Sequence, residues 1–263
     1  MSKLYDKCII SREQKNTSWS VSDTTKMTLE ADNTDYPAYV YVYTESGPAQ
    51  CVTLSALDSF TLEMSRNATA GVSGIHPDYT VISDRAYQIY LVASSSEEIE
   101  PFLIAIPNIY TLTHDMVLDL DDWEGIPLIS KAIGFCYLDG DGEITLIVGK
   151  ENRFDYYTDD NDLPVLMLQA GNATTITQVS DFNQCVASNS SHFILDYEVY
   201  DNTNAPTFSI SINGGSITRD FSFSASGRYS GSIEVTTKKD LRYLVGNANT
   251  TLSLKVASFE MIN

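Results

Sequence analysis

Three histidines are the natural starting point for chemistry in this chain, and their spacing argues against it. His76, His114 and His192 are each isolated in sequence from other candidate ligands or bases. His76 precedes a proline and His192 precedes a strand-like run, so surface or capping roles suit them better than catalysis. Gly71-Val72-Ser73-Gly74 lacks the spacing of a nucleophile elbow. Gly149-Lys150 runs into Glu151 with no glycine at phosphate-loop distance upstream.

Acidic residues offer more. Asp139-Gly140-Asp141-Gly142-Glu143 superficially suggests a calcium loop. An EF-hand needs glycine at its sixth position and a bidentate acid at its twelfth; here the twelfth is Lys150. A hairpin turn, with glycines supplying positive φ, accounts for the segment. Asp119/Asp121/Asp122 and Asp159/Asp160/Asp162 could hold a hard cation between loops, but hydrated acidic loops are the more ordinary reading. Paired carboxylates for glycoside cleavage can come from distant strands, so spacing does not single out a pair among 35 acids. Tyr156 and Tyr157 suit a subunit interface better than a sugar-stacking platform, since nothing else marks a sugar site. No residue is expected to be catalytic, cofactor-binding or metal-ligating, and neither an enzyme activity nor a cofactor is expected.

Whatever the chain presents must be carried by β-strands. Apolar residues alternate in Tyr39-Val40-Tyr41-Val42-Tyr43 and Tyr87-Gln88-Ile89-Tyr90-Leu91-Val92. They form a continuous run in Phe102–Ile106 between Pro101 and Pro107. The runs 133–138 and 143–148 flank the Asp139–Gly142 turn. Further strands are expected at 165–169, 193–200, 207–212, 219–224, 231–237 and 250–260. Only 111–124, with Leu112, Met116 and Leu120 spaced at fours, hints at a helix. Short strands separated by Gly, Pro, Asn and Asp predict an all-β fold, an antiparallel β-sandwich or jelly-roll-like architecture, with two packed β subdomains as a variant. Residues 1–25 are more polar and read as an N-terminal arm. Residues 26–263 read as the β-sandwich domain, with a subdivision near 160–165.

The charge restricts partners. Sixteen Lys and Arg face 35 Asp and Glu, a net charge of −19, and no Lys or Arg lies between Arg85 and Lys131. Such a surface repels phosphate, which disfavours nucleic acid and membrane insertion. Cys8, Cys51, Cys136 and Cys185 lie far apart without a Cys-x-x-Cys pair. With no apolar h-region at the N-terminus, four free thiols and cytosolic synthesis are expected. The sequons beginning at Asn16, Asn67, Asn172, Asn189 and Asn249 are what an Asn-, Ser- and Thr-rich chain produces by chance.

Three ordered stretches resemble a family of bacteriophage structural and tail-fibre proteins. The first joins the small-residue turn Asn67–Ile75 to the aromatic strand Ala86-Tyr87-Gln88-Ile89-Tyr90-Leu91-Val92-Ala93. The second is Lys131-Ala132-Ile133-Gly134-Phe135 followed by Asp139–Ile144, and the third runs from Ile233-Glu234-Val235-Thr236 through Leu241–Leu244 to Thr250–Val256. The section 97–130 is longer and more acidic than the pattern, and the usual basic run before Ile-Gly is reduced to Lys131. The resemblance implies an oligomerising β-sandwich, commonly a trimer, in the tail, fibre or neck apparatus of a virion assembled in a bacterial cytoplasm. Its partners would be itself and other virion proteins. A receptor- or glycan-binding fibre tip is the alternative, followed by a polysaccharide-degrading enzyme.

Overall fold

The computed structural model describes residues 14–42, 50–54, 59–69, 71–94, 100–120, 128–145, 147–156, 166–179, 182–212, 217–235 and 241–261. Strands dominate throughout, with two short helices among the described residues, so the fold is all-β. The chain divides into two compact units, Met1–Phe154 (with Asn263) and Asp155–Ile262. The expected boundary near 160–165 falls on residues outside those described.

In the first unit, β1 (Gln14–Lys15) and β2 (Thr17–Asp23) are followed by β3 (Lys26–Ala31), β4 (Ala38–Val42), β5 (Gln50–Leu54) and β6 (Ser59–Glu63). Then come β7 (Gly74–Ile75), β8 (Arg85–Ser94), β9 (Phe102–Pro107), α1 (His114–Leu118), β10 (Leu128–Leu138) and β11 (Ile147–Lys150). The strand β12 (Arg153–Tyr156) crosses the division between the units. β11, β2, β3 and β6 pair in that order, all antiparallel. A second sheet has the order β10-β8-β9-β7, with β7 parallel to β9.

One expectation is corrected by β2. Residues 14–25 are not an arm: β2 buries Thr17 and Trp19 completely, with Ser18 and Ser20 turned outward in period two. Residues 1–13 lie outside the described residues. Around Tyr87–Val92 the alternation in sequence is not matched by alternating exposure. From Ala86 to Ser94 every residue is buried, because β8 lies between β10 and β9 and both its faces are covered. The 111–124 hint yields one short helix, capped by the Thr113 side chain accepting from the Met116 N–H.

The second unit contains β13 (Leu166–Gly171), β14 (Thr177–Gln178), α2 (Phe182–Cys185), β15 (Ser190–Asp201) and β16 (Thr207–Ile212). β17 (Ile217–Ser222), β18 (Gly227–Val235), β19 (Arg242–Val245) and β20 (Thr251–Met261) complete it. One sheet sets β18, β15 and β20 side by side with β13 on β20; the other has the order β14-β19-β16-β17. Tyr197 of β15 meets Phe208 of β16 at a ring distance of 5.0 Å, which closes the two sheets into a sandwich. Leu252, Leu254 and Val256 point inward from β20, and after a register shift opposite Ile194/Leu195 the inward set becomes Phe259 and Met261. One extra residue reverses the phase, as a bulge must. Each such side chain, fully buried, contributes about 1.5–3 kcal/mol.

Candidate functional site

The candidate residues are scattered, and the fold uses most of them. His76 is buried: its Nε2 pairs with the Met116 carbonyl at 2.8 Å, and its Nδ1 accepts from the Asp78 N–H at 3.2 Å. Nε2 thus docks α1 onto the loop after β7, while Nδ1 holds the turn of that loop. His114 and His192 are exposed and lie in different units. The Gly71–Gly74 segment is a tight tuck, where a Cβ on Gly74 would fall 2.5 Å from the Arg66 carbonyl oxygen. Ser73 there accepts from the Leu103 N–H at 2.9 Å, so it tethers β9. Gly149 is pressed between Trp19 and Phe154, which explains the glycine without a phosphate.

Asp139 closes its turn as expected. Its Oδ1 accepts from the N–H groups of Asp141 at 3.0 Å and Glu143 at 2.8 Å, and Gly142 takes φ +81°. The bridge Leu138↔Ile144 makes this a hairpin end, after which β11 leaves β10 and pairs with β2. Asp119 is the C-cap of α1. Asp121, Asp122, Asp159, Asp160, Asp162 and Tyr157 lie outside the described residues. Among the described residues no three His, Cys, Asp or Glu side chains gather as a metal-ligand group. The Tyr156 hydroxyl donates to the Cys185 carbonyl at 2.7 Å and its ring packs beside Phe259, which makes it a brace within the second unit. Cys136 and Cys185 are buried and outside any disulfide, and burial pushes the Cys136 thiol up to about 12. Cys8 and the Cys51 side chain are outside the described residues.

Two surface features remain. In the second unit a concavity of about 450 Å³ is lined by Leu166, Gln169, Asp196, Glu198, Ser253 and Lys255, among others. Asp196 and Glu198, two apart on β15, share one sheet face. Asp196 accepts from the Ser232 hydroxyl at 2.6 Å, and both Glu198 oxygens accept from Arg228 at 3.0 and 3.1 Å. The acid pair is therefore tied to β18. Tyr197 borders the groove, but its ring packs at a tilt against Phe208 and Phe221 on the other face, so it provides no platform for a sugar.

The other feature is an end face of the first unit. β7 and β9 end there, β8 begins there and β10 ends there, so loops 76–84, 107–113 and 139–143 converge. Asp84 N–H donates to the Asp139 carbonyl at 3.0 Å, and the Tyr87 hydroxyl accepts from the Ile82 N–H at 2.9 Å. Tyr79 stacks on Tyr110 with ring centroids 5.2 Å apart. Val81, Ile82, Ile109 and Tyr110 are four of the seven large hydrophobic side chains that stand exposed among the described residues. Sequence reasoning missed this surface; its signal was apolar residues in Pro-containing loops, where no strand calls for them.

No protein-family model matches the chain, and no curated protein matches it. Among solved structures it is similar to the functional form of the mosquito-larvicidal Cry4Aa toxin from Bacillus thuringiensis, at 8% identity and a TM-score of 0.24. It is also similar to the Bacillus thuringiensis insecticidal crystal protein Cry7Ca1, at 10% identity and a TM-score of 0.23. Each comparison covers 95% of this chain and 52% of the other, so the chain spans about half the length of these proteins. Superpositions this loose carry no functional inference.

Proposed function

We propose that this chain is a structural protein of a bacteriophage particle, a component of its tail, fibre or neck apparatus that acts through protein–protein assembly. The observation that carries the reading is the concentration of exposed apolar side chains at one loop end of the first unit, while buried polar groups such as His76 and Ser73 are committed to the fold. Exposed apolar side chains gathered on neighbouring loops are the kind of surface that marks contact sites. The sequence stretches that resemble the phage family support the particle assignment, and two of them lie on the paired strands β8 and β10.

The test is mass spectrometry of density-purified particles from a bacterial culture that carries the gene. Peptides of this chain at a fixed ratio to the major capsid protein are expected. Recovery only in the soluble cell fraction would reject the particle role. A glycan-binding fibre tip is the second reading, favoured by the exposed Tyr110 ring, and binding to a bacterial glycan array distinguishes it.

A further inference from the structure

We infer that the loop end of the β10-β8-β9-β7 sheet docks a partner protein whose contact surface is an apolar centre ringed by lysine and arginine. The inference rests on the assembly reading above and names the chemistry of the partner. Its centre is the Tyr79–Tyr110 stack, with Val81, Ile82 and Ile109 exposed on the same two loops. Its surroundings are acidic. Loops 76–84, 107–113 and 139–143 contain Asp78, Asp84, Asp139, Asp141 and Glu143 and no Lys or Arg, and the only such base adjoining them in sequence is the partly buried Arg85 that starts β8. Two of these acids are held by the turn geometry that binds the loops together: Asp139 receives two N–H groups, and Asp84 is fixed at φ +54° against the Asp139 carbonyl.

Charge chooses the occupant. A second copy of this chain would bring the same five carboxylates against themselves, and like-charge juxtaposition across an interface costs several kcal/mol. An anionic lipid surface or a nucleic acid meets the same repulsion. A basic protein surface gains on both counts: its apolar centre covers the exposed rings, and its rim meets the acids, which steers encounter and fixes register. Tyrosine anchors surrounded by a polar rim are also how energetically dominant contacts are arranged in protein interfaces.

The experiment uses the full chain with labelled isoleucine methyl groups at about physiological salt, where the Debye length is about 8 Å. The probe is a Lys/Leu amphipathic peptide, with its Glu/Leu counterpart as control. Exposed Ile176 in the second unit is the internal reference for non-specific attraction to a −19 protein. The Lys/Leu peptide is expected to shift the Ile82 and Ile109 methyls and leave Ile176 in place, with no effect from the Glu/Leu peptide. Ile109→Ser with Tyr110→Ser, and separately Asp78→Asn with Asp141→Asn, should each weaken binding roughly tenfold. Both pairs are exposed, so unchanged unfolding midpoints verify that the fold is retained.

Equal shifts at Ile176, equal response to both peptides, or no shift at all would overturn the proposal. So would Ile82 and Ile109 shifts that appear on concentrating the protein alone, or with anionic phosphatidylglycerol vesicles. Particle mass spectrometry stands apart from this readout. Particle incorporation without peptide docking sinks the docking surface alone, and docking without incorporation sinks the virion assignment alone.

Discussion

Trp19 and Gly134 interlock across the first unit: a Cβ on Gly134 would lie 2.7 Å from the Trp19 ring, so the indole occupies the space that any side chain there would need. The indole N–H donates to the carbonyl of Ile133 at 3.3 Å, and β10 shifts register against β8 between Ala132 and Gly134. The tryptophan thus donates to a carbonyl at the bulge. A large buried ring thereby satisfies its one polar atom.

Trp19→Ala should destabilise the first unit by about 3–5 kcal/mol through loss of burial and the cavity left behind. Gly134→Val should cost about 1–3 kcal/mol by overpacking. Urea unfolding of the two variants checks both, and Trp19→Phe combined with Gly134→Ala should cost less than the two singles added. Strict additivity would mean the two residues do not share the space the geometry gives them.

The same pair shows what could be read from sequence. Ser18-Trp19-Ser20-Val21 alternates as a strand should, yet its polar surroundings suggested an arm, because only the partner strands reveal that the tryptophan has a slot. Ile133-Gly134 was visible as a motif, but its reason, an indole arriving from a residue 115 positions earlier, was not. Strands β9, β16 and β20 were legible, since their apolar runs and turn residues are local. The exposed end face was not, because it is made when three loops distant in sequence converge at the end of one sheet.

Asp201 should make stability depend on acid pH. It is buried, and its carboxylate accepts from the Asn204 and Thr203 N–H groups at 3.0 and 2.9 Å and from Asn247 and Thr250 at 3.0 and 2.9 Å. The Asn204 N–H, with these other donors, holds the carboxyl well below the usual carboxylate range. The unfolded chain therefore takes up the proton first as pH falls. The stabilisation is fully present above an unfolded Asp pKa of about 3.9 and is lost as pH descends toward the folded value. Asp201→Asn should lower the urea midpoint at pH 7 and narrow its gap from wild type below about pH 4. A gap that stays constant down to pH 2.5 would contradict this assignment.

Thiol reactivity should separate native from denatured protein. Cys136 has no solvent exposure, and burial disfavours its thiolate, which is the reactive form. Cys185 is equally enclosed. Four reactive thiols are expected in denaturant without reductant, as against slow or absent reaction at Cys136 and Cys185 in the native state. Finding none in denaturant would point to an exported, disulfide-bonded protein and overturn the expectation of cytosolic synthesis.

Self-association is the remaining expectation, and charge makes it conditional. A homo-oligomer, most naturally a trimer, brings together protomers of −19 each. Apolar burial contributes about 25 cal/mol per Å², and at physiological salt repulsion reaches only about 8 Å. A modest apolar interface placed away from the acidic loop end should therefore prevail once salt is present. Sedimentation from low salt upward should show association that strengthens with ionic strength. Because the Tyr79–Tyr110 surface is assigned to a basic partner, Ile109→Ser with Tyr110→Ser should leave the sedimentation profile unchanged. A monomer at every salt concentration would reject self-assembly, whereas an oligomer abolished by that double substitution would reassign the end face to contacts between copies.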